Sequence, residues 1–406
     1  MLGTQRKTIN SGASADASIK VMIVDDSAVI RGLISRWIQE DPDMQVVATH
    51  RNGKLATDDI EKSDPDVVIL DIEMPVMDGL TALPLILAKK RGLTVIMAST
   101  LTRRNAEVSM RALSLGATDY VAKPESSSQA ASSLDFRREL LQKVRSLGAR
   151  KLRRASLRAS SLPQRRMRAE TTGLRPSAAP QNSYRLNPRL ALQKAKAQHG
   201  DENYSLRSMS PVLPKVLAIG SSTGGPQALH SVLENMGPRV KSLPILITQH
   251  MPRTFTTILA EHLGKSVGIP AKEGEHEEPL KAGHIYVAPG GYHMRVGAKD
   301  GRAVVLLDET APINFCRPSV DPLFESIAEV FGSGVLALVL TGMGADGSKG
   351  SVFIADKGGS VIAQDEESSV VWGMPGAAVK AGSCSEILPL DKIGPRLASI
   401  IGGKVR

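Results

Sequence analysis

A serine-bearing turn follows the apolar segment 216–219 and reads Gly-Ser-Ser-Thr-Gly over residues 220–224. A strand that ends in Gly-x-Ser-x-Gly and turns into a helix lifts one serine hydroxyl clear of its neighbours, because glycine lets backbone pass where a side chain would clash. Ser222 stands at the centre of this pattern, which is typical of a nucleophile that attacks a carbonyl carbon. The alternative is a phosphate-binding turn, although the segment matches neither the dinucleotide fingerprint nor the P-loop.

A histidine and an aspartate follow two further apolar segments in the same half of the chain. His250 ends the segment 243–250, and Asp346 lies in the glycine-rich loop 341–347. If the strands are parallel, Ser222, His250 and Asp346 meet at one sheet edge as nucleophile, base and orienting acid. Taken singly, the histidine could be a buried structural residue and the aspartate a turn former. Their coincidence at strand ends favours catalysis.

The glycine-rich turns also leave backbone N–H groups free to bind an oxyanion, and the N–H of Met343 is a candidate donor. The chain order Ser, His, Asp differs from the order Ser, Asp/Glu, His of α/β-hydrolases. We therefore expect a similar constellation on a different sheet topology.

A second set of polar residues ends the apolar segments of the N-terminal half. Asp25 and Asp26 end the first of these segments, Asp71 the second, Ser99 the third and Lys123 the fourth. Carboxylates at one sheet edge repel each other unless a cation is present, and hard oxygen ligands with room for water suit Mg²⁺. A carboxylate, a metal, a lysine and a hydroxyl together are what phosphoryl transfer to an aspartate requires. The alternative is a domain with incidental polar strand ends.

These side chains are positioned by strands that alternate with helical patterns, such as residues 27–40 and 105–115. Alternating strands and helices predict an α/β fold with doubly wound parallel sheets, whose ligands bind beyond the carboxyl ends of the strands. The length of 406 residues allows two or three domains. We predict a disordered tail over residues 1–18, one domain over 19–138, a basic flexible linker over 139–210 and a second domain over 211–406.

The net charge of +10 is concentrated in that linker. Residues 149–210 hold 14 Lys/Arg and 3 Asp/Glu, whereas the rest of the chain holds 37 basic and 38 acidic residues. A segment rich in Arg, Ser, Ala and Pro with few aromatic residues is typical of a solvated, self-repelling tether. The alternative is a basic arm that contacts an acidic partner or a lipid surface.

Other sequence features bear on the class of protein. Cys316 and Cys384 are the only cysteines, too few for a disulfide framework or a cysteine-based zinc site. No apolar stretch is long enough to span a membrane, and residues 1–18 lack the apolar core of a secretory signal. These features predict a cytoplasmic protein without membrane insertion, and we expect no nucleic-acid partner.

Residues 20 to about 137 resemble the receiver domain of two-component response regulators, which implies a flavodoxin-like fold and phosphorylation by a histidine kinase. On this resemblance Asp71 is the phospho-acceptor and Tyr120 is the aromatic residue that changes rotamer. The resemblance further implies Mg²⁺ ligands at Asp25, Asp26, Asp71 and the Glu73 backbone carbonyl, a switch hydroxyl at Ser99 and a phosphate-sensing lysine at Lys123.

The second domain resembles the catalytic domain of the chemotaxis protein-glutamate methylesterases, the CheB family, which implies a Rossmann-like fold. The matching segments run in family order over nearly the whole domain: 220–225, 248–252, 286–290, 317–321, 340–347 and 371–376. Ser222, His250 and Asp346 fall on the family's catalytic positions, and Thr223 falls on its active-site turn. Ser221 stands where the family often has alanine, and the linker is longer than the family leads us to expect.

The resemblance implies hydrolysis of methyl esters on glutamate side chains of methyl-accepting chemotaxis receptors, and deamidation of certain receptor glutamines. It implies a chemotaxis histidine kinase as phosphodonor, Mg²⁺ in the receiver and no cofactor in the catalytic domain. Two alternatives have other targets or other chemistry. One is the same receiver-controlled esterase acting on a non-chemotaxis protein, and the other is a phosphorylation-controlled binding protein.

Overall fold

Two parallel sheets organise the chain, which a computed structural model describes over residues 18–124, 133–160 and 204–404, with backbone alone at 150–160. The first sheet has five strands in the order β2-β1-β3-β4-β5, the doubly wound order predicted for the first domain. Its strands are β1 Ile19–Val24, β2 Met44–His50, β3 Val67–Asp71, β4 Thr94–Thr100 and β5 Asp119–Lys123. The helices of this half are α1 Ala28–Gln39, α2 Gly53–Ser63, α3 Gly79–Lys89, α4 Arg103–Ser114 and α5 Leu134–Ser160.

The second sheet has seven strands, all parallel, in the order β14-β13-β12-β6-β7-β9-β8, and β10 and β11 form a separate antiparallel pair. Its strands are β6 Val216–Ser221, β7 Ile245–Gln249, β8 Ala271–Glu273, β9 Ile285–Val287, β12 Val335–Val339, β13 Ser360–Gln364 and β14 Glu386–Leu388, with β10 His293–Lys299 and β11 Arg302–Asp308 outside it. The helices are α6 Gly225–Asn235, α7 Phe255–Val267, α8 Val320–Phe331, α9 Ser348–Asp356, α10 Gly373–Lys380 and α11 Leu390–Ile401.

The three central strands of this second sheet position the predicted catalytic residues. Val339 of β12 is in register with Gly220 of β6, and Ser221 of β6 is in register with Gln249 of β7. The strands β12, β6 and β7 are almost wholly buried on both faces, as their continuous apolar segments predict. The residues that follow their carboxyl ends therefore share one sheet edge.

The last receiver helix, α5, continues past the predicted domain boundary at residue 138. Leu140, Val144 and Leu147 lie on this helix and are buried against the first sheet. Their spacing of three and four residues places them on one helix face, so the packed receiver extends to about residue 147.

The other end of the predicted linker also differs from the structure. Ser210 is buried, and its backbone N–H donates to the Ser360 hydroxyl at 2.8 Å. The Tyr204 ring lies edge-on to Trp372, with the ring centroids 6.2 Å apart. The catalytic body therefore begins at least as early as residue 204. Most of the predicted linker, residues 161–203, and most of the predicted tail, residues 1–17, lie outside the described residues.

No helix within the described ranges is both long enough and apolar enough to cross a membrane.

Candidate active site and its receiver

The serine turn after β6 is shaped by two glycines. Gly224 has a φ of 75°, a left-handed conformation that glycine adopts without strain. A Cβ on Gly225 would lie 2.0 Å from Oε1 of Gln249, so a side chain there would displace the amide oxygen that binds Ser221. Ser221 is fully buried and its hydroxyl donates to the same Gln249 oxygen at 2.7 Å, whereas Ser222 is half-buried. The turn therefore engages the first hydroxyl in the core and leaves the second at the sheet edge.

His250 and Asp346 are joined by a 2.7 Å contact between Nε2 of the imidazole and Oδ2 of the carboxylate. Asp346 is buried and also accepts from the Val320 backbone N–H and the Ser319 hydroxyl, each at 2.7 Å. Burial raises the pKa of Asp346, but the hydrogen bonds from His250, Val320 and Ser319 outweigh it and hold that pKa well below its usual range. The carboxylate is thus kept ionised at the N-terminus of α8, where the helix dipole favours an anion.

The other ring nitrogen of His250, Nδ1, faces Cys316, a residue to which the sequence analysis assigned no catalytic role. Nδ1 lies 3.4 Å from Sγ of Cys316. Burial disfavours the charged imidazole, but Cys316 and Asp346 outweigh burial and raise the pKa of His250 to about 10. In this arrangement the imidazole is held by two partners and is charged at neutral pH.

The predicted nucleophile and base lie on adjacent strand ends. The backbone N–H of His250 donates to the Ser221 carbonyl at 3.1 Å, and the Ser222 N–H donates to the Thr341 carbonyl at 3.0 Å. Among the described residues, the Ser222 hydroxyl has no hydrogen-bond partner, so the structure joins His250 to Asp346 but not to Ser222. For His250 to act as the predicted base, its imidazole would have to exchange one of these contacts for the Ser222 hydroxyl.

Two further predicted site residues, Thr223 and Met343, lie in the turns that follow β6 and β12. Thr223 is buried, and its carbonyl accepts from the Thr341 hydroxyl at 2.9 Å, while its own hydroxyl has no partner among the described residues. Met343 lies in the loop between β12 and Asp346, and its backbone N–H has no acceptor within the described part of the chain. The role of Thr223 and Met343 in binding an oxyanion stays a prediction.

Asn314, Ser319 and Asp321 surround Asp346 and were not assigned a role from the sequence. The Asn314 amide lies 3.3 Å from Oδ1 of Asp346 and 3.4 Å from Oδ2 of Asp321. Burial raises the pKa of Asp321 to about 6, against a hydrogen bond from Gly350, and the Asp346 charge adds to the rise. A serine just before an amphipathic helix is a sequence signal for a helix N-terminus, which could have indicated Ser319.

The receiver half brings three carboxylates and a lysine together. Oxygen atoms of Asp25, Asp26 and Asp71 lie within 4.8 Å of one another, and the Lys123 ammonium lies 3.1 Å from Asp25 and 2.6 Å from Asp71. Burial raises the pKa of Asp71 to about 7, with Lys123 opposing the rise and Asp25 adding to it. Clustered hard oxygen ligands, one of them exposed, fit a divalent cation that keeps bound water.

Ser99, Tyr120 and Glu73, the other predicted receiver residues, lie outside the cluster of carboxylates and Lys123. Ser99 is buried near the end of β4, and its hydroxyl lies 3.0 Å from that of Ser109. Tyr120 is buried in β5, and Glu73 is exposed in the loop after β3. The Glu73 carbonyl as a metal ligand stays a prediction.

The receiver packs directly on the catalytic domain through β5 and α4. The ring of Tyr120 stacks on that of Phe255, with centroids 4.6 Å apart and planes 9° from parallel. At the rim, the Arg103 guanidinium pairs with Glu261 at 2.8 Å. An aromatic core with a polar rim is the usual anatomy of a specific protein interface.

A second contact brings the receiver core to the margin of the serine turn. Val370 and Val371 pack against the receiver core that includes Leu140. A Cβ at Gly224 would lie 2.6 Å from Val370, so these valines border the turn that carries Ser222. The receiver therefore covers one side of the candidate active site.

Comparison with known proteins agrees with this architecture. The family profile described as CheB methylesterase matches residues 217–397, and that of the response regulator receiver domain matches residues 21–135. A protein-glutamate methylesterase/protein-glutamine glutaminase of Nitrobacter winogradskyi is 52% identical over 404 residues, covering 95% of each chain. A protein of the same name from Rhodopseudomonas palustris is 54% identical over 385 residues, covering 95% of this chain and 94% of its own. The crystal structure of the Thermotoga maritima CheB methylesterase catalytic domain is 40% identical, covers 47% of this chain and 100% of its own, and has a TM-score of 0.45.

Proposed function

This chain belongs to the CheB methylesterase family and carries a response regulator receiver domain ahead of its catalytic domain, and we propose that Ser222, His250 and Asp346 carry its reaction. The protein is a receiver-controlled protein-glutamate methylesterase and protein-glutamine glutaminase. Its substrates are glutamyl methyl esters and glutamines of methyl-accepting chemotaxis receptors, and its phosphodonor is a chemotaxis histidine kinase. The single observation that carries the catalytic assignment is the 2.7 Å contact between His250 and a buried Asp346 at the serine edge of the sheet.

Ser222 is the nucleophile in this proposal, although Ser221 offers a second hydroxyl. Ser221 is fully buried and donates to Gln249 at 2.7 Å. A hydroxyl engaged in the core cannot reach the carbonyl of a side chain on another protein. Ser222 is half-buried and has no competing side-chain partner in the described ranges, which supports its selection over Ser221.

His250 acts as general base and then as general acid. Once its imidazole is neutral and turned towards Ser222, it accepts the hydroxyl proton while the serine oxygen bonds to the ester carbonyl carbon. It then returns that proton to the departing methoxide, so methanol leaves and an acyl-enzyme remains. Water adds in the same way, with His250 taking its proton, and free glutamate and Ser222 are restored. With glutamine as substrate, ammonia leaves in place of methanol.

Asp346 orients the imidazole and stabilises its charged form. Its hydrogen bonds from Val320 and Ser319 keep it ionised, so it remains an acceptor while His250 carries the proton. The tetrahedral intermediate places negative charge on the former carbonyl oxygen. The Met343 N–H is a suitable donor to this oxygen, because backbone N–H groups in a fixed turn need no reorganisation.

Control starts at Asp71, whose carboxylate attacks the phosphorus of the kinase phosphohistidine. The P–N bond breaks, the histidine leaves, and Asp71 becomes an acyl phosphate. A Mg²⁺ ion held by Asp25, Asp26 and Asp71 would neutralise charge on the phosphoryl oxygens. Lys123 then moves its ion pair from Asp71 to the phosphoryl group, and the Ser99 hydroxyl donates to a phosphoryl oxygen. Tyr120 transmits this change, because its ring forms part of the contact with Phe255. Loosening that contact uncovers Ser222.

The test is methanol release from methylated receptors by the full chain and by its S222A variant. We expect a loss of at least about 10³-fold in kcat for S222A, because the nucleophile is removed and only substrate binding and the oxyanion donors remain. S221A is the matched control and should retain most activity. Undiminished release by S222A would overturn the catalytic assignment.

A further inference from the structure

A four-residue turn connects the receiver to the catalytic histidine. Ile313 and Cys316 close it with two backbone hydrogen bonds, 3.1 and 2.9 Å long. The two residues between them, Asn314 and Phe315, have φ angles of 52° and 65°. Left-handed backbone at a phenylalanine is uncommon and costs free energy, so surrounding contacts must maintain it. We call this segment the 313–316 turn.

One side of the 313–316 turn lies against the catalytic pair. Sγ of Cys316 is 3.4 Å from Nδ1 of His250, and the Asn314 amide is 3.3 Å from Asp346. Because Asp346 already holds Nε2, both ring nitrogens of the imidazole are engaged. Cys316 thus occupies the ring nitrogen that would otherwise be available to the Ser222 hydroxyl.

The opposite side of the 313–316 turn lies against the receiver. The Arg138 guanidinium, on helix α5, sits 4.5 Å from the centre of the Phe315 ring. That ring is 78% exposed, and Arg138 covers part of it. A cation over an aromatic face is attractive, more so when partly desolvated. The turn therefore contacts a receiver helix and the catalytic histidine at once.

We propose that Cys316 is a positioning residue, which holds His250 in a resting orientation while the receiver helix holds the 313–316 turn in place through Arg138 and Phe315. This inference rests on the proposed function. In addition to covering Ser222, the receiver would then control the orientation of the His250 imidazole. When the receiver moves, Arg138 no longer holds Phe315 and the 313–316 turn can change conformation. The His250 imidazole then loses its contact with Cys316 and forms a hydrogen bond with the Ser222 hydroxyl. The high pKa of His250 is consistent with this, because an imidazole charged at neutral pH cannot accept the serine proton.

The first test measures methanol release by the unphosphorylated full chain. We expect C316A to raise the basal kcat about three- to tenfold with little change in KM, since one hydrogen bond is removed from the resting state and no substrate contact is lost. C316S retains a hydrogen-bonding group and should give a smaller rise. C384A is the matched control and should leave the basal rate unchanged. Cys384 is buried just before the parallel strand β14, at the sheet edge opposite the carboxyl ends of the strands. A fall in basal kcat with C316A, or no change, would overturn the proposal.

The second test examines the receiver side of the 313–316 turn. R138A should raise the basal kcat about two- to fivefold, because it removes a cation–π contact. R137A is the matched control on the same helix, since Arg137 contacts Glu40 and Trp37 within the receiver. Equal effects of R138A and R137A would contradict a coupling through Phe315.

The third test needs no receptor and so separates this inference from the catalytic assignment. Iodoacetamide alkylates a cysteine sulfur with loss of iodide, and reactive cysteines lie in electropositive surroundings such as those beside a charged imidazole. In a C384A background at neutral pH, we expect H250N to slow alkylation of Cys316 about tenfold or more. Equal rates in the two chains would overturn the Cys316–His250 contact. If S222A kept its activity while H250N slowed alkylation, the catalytic assignment would fail and this contact would stand.

Discussion

Tyr120 of the receiver stacks on Phe255 of the catalytic domain, with ring centroids 4.6 Å apart. Tyr120 lies on the strand that also carries Lys123, and Phe255 begins helix α7 just after the loop that contains His250. The two rings therefore join the strand of the predicted phosphorylation site to the neighbourhood of His250, the proposed base.

Substitution of Phe255 by leucine should raise the basal methylesterase rate of the unphosphorylated chain about two- to tenfold. Leucine fills most of the space but loses the ring contact, which is worth about 0.5–1.5 kcal/mol beyond its buried area. Methanol release without phosphodonor measures the effect. F136L is the control, because Phe136 pairs with Trp37 inside the receiver. A basal rate in F255L no higher than that of F136L would contradict the role of this contact.

Replacement of Asp346 by asparagine should lower kcat about 10³- to 10⁴-fold, because the imidazole loses the carboxylate that orients it and stabilises its charge. D321N is the matched control: Asp321 is also a buried carboxylate beside the Asn314 amide, but it makes no contact with His250. We expect D321N to lose less than about tenfold. Losses of the same size in both variants would mean that the pair acts through folding, which thermal unfolding would reveal.

The activity of the unphosphorylated chain should rise with pH. The pKa of His250 is raised to about 10 against burial by Cys316 and Asp346, and the neighbouring Asp321 adds further negative charge when ionised. Since only the neutral imidazole accepts a proton, kcat/KM should increase up to about tenfold per pH unit between about pH 7 and 9. A plateau from neutral pH upwards, after subtraction of spontaneous ester hydrolysis, would contradict this.

The raised pKa of His250 also predicts how the free energy of unfolding depends on pH. A raised pKa means that the charged imidazole stabilises the folded chain, in full below about pH 6.5 and progressively less as the pH rises through about 10. H250N should therefore flatten the alkaline part of the stability curve, measured as the free energy of unfolding against pH. An unchanged curve would indicate that His250 is neutral in the folded chain.

Phosphorylation control should depend on Asp71. D71N should abolish stimulation by a small phosphodonor such as acetyl phosphate while leaving the basal rate, because the phospho-acceptor is lost and the catalytic residues are untouched. D78N is the control, since Asp78 is exposed and caps α3 through the Thr81 N–H at 2.7 Å. Stimulation that persists in D71N would mean that another group is the switch.

Removal of divalent cations, like D71N, should affect stimulation by the phosphodonor and not the basal rate. EDTA should abolish the stimulation and spare the basal rate, and Mg²⁺ should restore the stimulation, because the carboxylates that fit a cation lie in the receiver. Basal activity lost on chelation would place a metal requirement in the catalytic domain instead.

Much of this protein could be predicted from its residue pattern. Continuous apolar segments ending in polar residues predicted two parallel sheets, and they predicted that Asp25, Asp71 and Lys123 would share one edge. They also predicted that Ser222, His250 and Asp346 would meet at one edge, where the structure joins His250 to Asp346 but not to Ser222. The shared edges could be predicted because strand direction and burial follow from local sequence, and parallel strands bring their carboxyl ends together.

The domain boundary and the nearest neighbours of the site depended on packing. Helix α5 continues past residue 138 because its apolar face packs against the first sheet. The engagement of Ser221 by Gln249 is a contact between adjacent strands, and sequence spacing alone does not set it.

The order of residues sets which residue types end each strand, and therefore which chemistry each sheet edge supports. Packing in three dimensions places Cys316 beside His250, stacks Tyr120 on Phe255, and brings the receiver to the border of the serine turn. Those contacts join residues far apart in the chain, and their formation depends on how whole surfaces fit together. Local patterns fix the elements, whereas the choice of neighbour depends on shape and burial over the assembled molecule.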